Sequence, residues 1–130
     1  MNVTEFSEAV RVACQNSDKV SLNELRELAS QENNPYFYSS LAWWAYELPP
    51  EGGETFKSTA DADKYFKLAY EGFLKLAKEN KDPDAMSILS DMYEWGKGIA
   101  ADEEKSKYWR DRCYLTKTGL TFDEWKRQQS

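Results

Sequence analysis

Between Asp84 and Gly119 two helical periods meet across one glycine turn, and this limits the fold more than any other stretch. Ala85, Leu89 and Tyr93 recur every fourth residue and so share one face of a helix. Gly96-Lys97-Gly98-Ile99 breaks that period. Beyond Asp102, the residues Lys105, Tyr108, Trp109 and Arg112 carry the spacing of a second helical face. Two short helices joined by a glycine turn make an α-hairpin, which cannot bury its apolar side alone. The rest of the chain must supply the other half of a helical core.

It has the means. Phe6, Val10, Ala13 and Cys14 form an apolar stripe over a helix from Thr4 to Cys14. Asn16-Ser17-Asp18 ends it, and Ser21 with Glu24 reads as a capping box opening a helix on Leu22, Leu25 and Leu28. Pro35 suits a first helical turn. The spacing predicts a third, aromatic-rich helix from Pro35 to Leu48, stopped by Pro49-Pro50. After a loop containing Gly52 and Gly53, a fourth helix is predicted from Ala60 to Glu79 on Ala62, Tyr65, Phe66, Ala69, Phe73 and Leu76. Gly119 punctuates the last hairpin. Thr121 with Glu124 forms a further capping box, so that Phe122 and Trp125 pack a short terminal helix.

The third and fourth helices read as a weaker copy of the final hairpin. Tyr38, Ala42 and Tyr46 align with Ala85, Leu89 and Tyr93 at an offset of 47. Asp61, Lys64 and Leu68 align with Asp102, Lys105 and Trp109 at an offset of 41, which leaves six residues inserted in the loop. Insertions of this kind map to one face of a repeat, often the binding face.

The spacing of Ala85, Leu89, Tyr93, Gly96, Gly98, Ile99, Asp102, Lys105 and Trp109 resembles the Sel-1-like repeat, a relative of the tetratricopeptide repeat. Ser90 stands where that family has glycine, and Ser106 where it has alanine. The resemblance implies an all-α fold, a short right-handed α/α solenoid of helical hairpins with a C-terminal capping helix. Residues 1–33 would form a degenerate N-terminal hairpin, 35–80 a divergent repeat with the loop insertion, 84–119 the best repeat and 120–130 the cap, all in one domain. It also implies protein binding rather than chemistry.

Composition narrows the function. The chain has 130 residues and a formal net charge of −6, which disfavours nucleic acid and anionic membrane surfaces and suits a basic protein partner. It has no histidine, so it lacks the commonest general base and metal ligand. Cys14 and Cys113 lie far apart in sequence and read as small buried hydrophobes. The acid groups Asp61 with Asp63, Asp82 with Asp84, and Asp102-Glu103-Glu104 each fall at an expected helix N-terminus, where carboxylates meet the helix dipole favourably. A non-enzyme without cofactor or metal is therefore expected. No apolar run reaches the length of a membrane span, and the N-terminus lacks the pattern of a signal peptide, so a cytoplasmic location is expected.

The candidate partner surface centres on the third helix. Trp43 and Trp44 point about 100° apart. Trp44 aligns with Asp91, which should be solvated, so Trp44 is a candidate exposed aromatic; the alternative packs it under the N-terminal hairpin or the long loop. Tyr36 and Phe56 raise the same question, and Glu47, Glu51, Glu54 and Asp91 are acids that would rim such a surface. Three functions remain open for a monomer or weak homodimer. One is a stoichiometric inhibitor, such as a bacterial immunity protein neutralising a cognate toxin. The others are a regulatory adaptor binding peptides of a larger assembly and a self-associating solenoid.

Overall fold

The computed structural model describes residues 1–47 and 59–129, with side chains described for 1–44 and 62–129. Among them are seven α-helices and no strand: α1 (Val3–Gln15), α2 (Lys19–Glu32), α3 (Pro35–Glu47), α4 (Thr59–Glu79), α5 (Pro83–Trp95), α6 (Glu103–Thr118) and α7 (Phe122–Gln129). The chain divides into two compact units, Met1–Ala69 and Tyr70–Ser130, with the division falling inside α4. The expected loop insertion after Pro50 lies outside the described residues.

In the first unit, α1 packs on α2 and α3. The stripe of Phe6, Val10, Ala13 and Cys14 is buried, and the Phe6 ring stacks on Phe37 with centroids 4.0 Å apart. α3 buries Phe37, Tyr38, Leu41 and Ala42, and Trp43 sets its ring edge-on to Phe66 of α4 at 5.0 Å. α2 starts earlier than its capping-box pattern predicts. Asp18 is the cap: its carboxylate accepts the Ser21 N–H at 3.1 Å and the Ser21 hydroxyl at 2.7 Å. The charged carboxylate also meets the positive end of the helix dipole, so it displaces the serine from the capping role. The buried face of α2 is correspondingly Leu22, Leu25 and Ala29, with Leu28 half-buried.

In the second unit, α5 and α6 form the most extensive helix pair among the described residues. Ala85, Met86, Leu89, Met92 and Tyr93 of α5 are buried against Trp109 and Cys113 of α6, together with Phe73 and Ala77 of α4. Asp82 caps α5 and Asp102 caps α6, each accepting backbone N–H groups of the following turn. The turn between them closes on Gly96, which adopts φ 68°, a left-handed conformation that costs glycine little. The Asp102 N–H then bonds back to the Tyr93 carbonyl at 2.9 Å, so the turn is tied to the end of α5.

The two serines that depart from the repeat pattern face each other where α5 crosses α6. The Ser90 hydroxyl donates to the Ser106 carbonyl at 2.8 Å, and the Ser106 hydroxyl donates to the Ser90 carbonyl at 2.9 Å. Small side chains let the backbones approach closely, and the hydroxyls use that closeness for reciprocal bonds. The capping box predicted at α7 is present: Thr121 N–H meets Glu124 at 3.1 Å and Glu124 N–H meets the Thr121 hydroxyl at 3.3 Å. Tyr114 of α6 then contacts Phe122 and Trp125 at 5.1 and 5.2 Å.

Candidate functional site on the second unit

The last two turns of α5 place an exposed aromatic beside two acids. Trp95 is 55% exposed. Asp91 lies four residues earlier, so both occupy one side of the helix, with Glu94 adjoining. The register explains the exposure. Trp95 is two positions beyond buried Tyr93, about 200° around the helix, and so points away from the core that Ala85, Leu89 and Tyr93 share.

Asp91 and Glu94 also line a cleft of about 600 Å³ between α5 and α6, bounded at one end by Phe122 of α7. Asp102 and Glu103 add carboxylates from the start of α6. Lys107 and Arg110 are its cations: Lys107 lies 3.4 Å from Glu103, and the Arg110 guanidinium lies 4.1 Å from the Phe122 ring centre, its buried Nε without a hydrogen-bond partner among the described residues. Among the described residues neither Asp91 nor Glu94 has an ion-pair partner. Asp91 is half-buried rather than solvated, a correction to the repeat-based expectation. Partial burial raises its carboxyl pKa, and the neighbouring Glu94 charge adds to the rise. The cleft can therefore accept a cationic group, which would relieve both the desolvation and the repulsion of these acids.

The sequence-derived surface is distributed as follows. Tyr36 and Trp44 lie on α3 in the first unit and are both half-buried, while Asp91 lies on α5 in the second. The side chain of Glu47, and Glu51, Glu54 and Phe56 entirely, lie outside the described residues. Among the described residues Trp95, which the sequence reading does not name, is 55% exposed, and Tyr108, read there only as part of the second helical face, is 54% exposed. No helix among the described residues is long and apolar enough to cross a membrane, and no cluster of acids and cysteines among them is placed to hold a metal ion. No family model, curated protein or solved structure matches the chain.

Proposed function

We propose that this chain is a protein-binding module of the Sel-1-like kind, built of α/α hairpins stacked as a short solenoid, and that it engages a basic protein surface. One observation carries this reading: a mostly exposed tryptophan, Trp95, stands one turn from Asp91, a carboxylate partly desolvated and without an ion-pair partner among the described residues. Tryptophan is the residue type most enriched at interface hot spots, and unpaired acids beside it favour lysine or arginine from a partner. The net charge of −6 adds long-range attraction for a basic protein. The repeat spacing at Ala85–Trp109 and the left-handed Gly96 support the hairpin assignment.

Within that class, a stoichiometric inhibitor of the bacterial-immunity kind is the form we favour, since a small acidic module acts by covering a partner. A pull-down with tagged protein from the source cell, adjacent gene products included, tests this when followed by titration of the captured protein. One-to-one binding weakened on the order of thirtyfold by Trp95→Ala, equivalent to the ~2 kcal/mol of a hot-spot truncation, is the expected result. Binding that is indifferent to both Trp95→Ala and Asp91→Lys overturns the surface. A partner that is harmless when expressed alone overturns the immunity role and leaves the adaptor.

A further inference from the structure

The second unit carries another cleft, of about 510 Å³, whose chemistry is opposite to the first. Tyr70, Leu74 and Lys78 stand on one face of α4, and Lys105, Tyr108 and Arg112 on one face of α6. Lys81 contributes from the turn after α4, and buried Tyr93 forms part of the wall. Among the described residues four cations and four aromatic rings line this space, and no carboxylate does. In a chain with 23 acids against 17 bases that is a marked segregation of charge.

The cations are available. Among the described residues Lys78, Lys81 and Arg112 have no ion-pair partner. Lys105, an exposed residue, holds its ammonium 5.7 Å from the centre of the Tyr93 ring. Lys81 takes a left-handed backbone, φ 53°, which glycine or asparagine would adopt more readily; a cation stands there against local preference. The one acid next to it in sequence, Asp82, is engaged in capping α5. The aromatic side is fixed: the Tyr70 and Tyr93 hydroxyls meet at 2.5 Å, and Tyr108 packs edge-on to buried Trp109 at 5.1 Å while remaining half open to solvent.

We infer that this cleft binds an acidic peptide segment of another protein, its carboxylates meeting Lys78, Lys81 and Arg112 and an apolar side chain resting on Tyr108. Arginine offers a carboxylate two parallel donors, and the lysines add mobile point charges around it. A nucleic-acid strand is the lesser fit, because its regular phosphates need a basic track and this chain is acidic overall. The inference is independent of the Trp95 surface, which carries the opposite charge.

Fluorescence anisotropy tests it on the full chain. The probes are a labelled hexapeptide of aspartate and glutamate around one phenylalanine, the same peptide with asparagine and glutamine, and a labelled single-stranded oligonucleotide. Saturable binding of the acidic peptide is expected, weakened about tenfold by Lys78→Glu or by Arg112→Glu, each removing a charge-assisted contact at an exposed position. Trp95→Ala should leave this binding unchanged. No saturable binding of the acidic peptide, equal affinity for the amide peptide, tighter binding of the oligonucleotide, or indifference to both charge reversals overturns the proposal.

Discussion

Replacing Ser90 and Ser106 with alanine, singly and together, probes what holds α5 to α6. Ser90 is buried, with 8% of its surface exposed. Its hydroxyl donates to the Ser106 carbonyl at 2.8 Å, its carbonyl accepts the Ser106 hydroxyl at 2.9 Å in return, and the two hydroxyl oxygens lie 3.2 Å apart. Alanine keeps each Cβ and opens little space. The carbonyl oxygens retain their intrahelical donors, so no acceptor is orphaned. Each single substitution then loses one hydrogen bond, about 1 kcal/mol, and regains roughly half of that from the better helix propensity of alanine. A net destabilisation of about 0.5 kcal/mol is expected for each. If the bonds reinforce one another, the double variant should depart from the sum of the singles by about 0.5 kcal/mol or more. Ser40→Ala is the control. Its hydroxyl bonds the Tyr36 carbonyl of its own helix at 3.1 Å, so its loss should be neutral or slightly stabilising. Urea unfolding followed by circular dichroism measures all four variants. Two neutral singles at the crossing, indistinguishable from Ser40→Ala, would show that close approach alone and not the hydroxyl pair matters there.

Other outcomes follow from single contacts. Gly96→Ala should cost about 1–2 kcal/mol, because φ is 68° and the added Cβ would meet the Ala101 backbone nitrogen at 3.4 Å. Gly119→Ala, at φ 79° with open space around it, should cost less, and denaturation midpoints rank the two. Asp102→Ala should lower stability by about 1 kcal/mol through loss of the bond from Lys105 N–H at 3.1 Å, read by the same unfolding curves. Burial pushes the Cys14 thiol up to about 11 and raises that of Cys113, so at pH 8 Ellman's reagent should modify both only as the chain opens. The sign for stability follows: the Cys14 contribution is present below the usual thiol value near 9 and declines as pH rises from there towards 11. Because Asp91 is raised, affinity for a basic partner should weaken at a higher pH, on acidification, than an ordinary carboxylate would allow, and Asp91→Asn should remove that dependence in a binding titration.

Helices were legible in this sequence wherever one apolar period ran unchallenged. Phe6, Val10, Ala13 and Cys14 define α1 because nothing else competes for its inner face. The start of α2 was not legible from its capping pattern, since Ser21-Glu24 satisfies the rule while Asp18, three residues earlier, binds both the backbone and the hydroxyl of that serine. Pattern rules rank residue types at a cap; they do not weigh two candidate caps whose side chains can bond each other. The reciprocal serines were visible only as two unrelated departures, because the pairing depends on how α5 crosses α6.

The binding surface was harder to read for a related reason. The repeat alignment of α3 with α5 points to Trp44, yet it transfers a position without its neighbours: both Trp44 and Asp91 are half-buried. The same periodic face that placed Ala85, Leu89 and Tyr93 inside already implied that Trp95 lies outside, so this aromatic was within reach of sequence alone. The basic cleft was not. Lys105, Tyr108 and Arg112 were recognisable as one helical face, yet their role depends on Lys78 and Lys81, which arrive from another helix and its following turn. Net charge misled here as well, since −6 averages over a chain that gathers acids beside Trp95 and bases beside Tyr108. Two surfaces of opposite sign on one unit make a direct demand. Charge reversal at Asp91 and at Lys78 should act on different ligands and respond to salt independently; a single ligand losing affinity to both would merge the two surfaces into one.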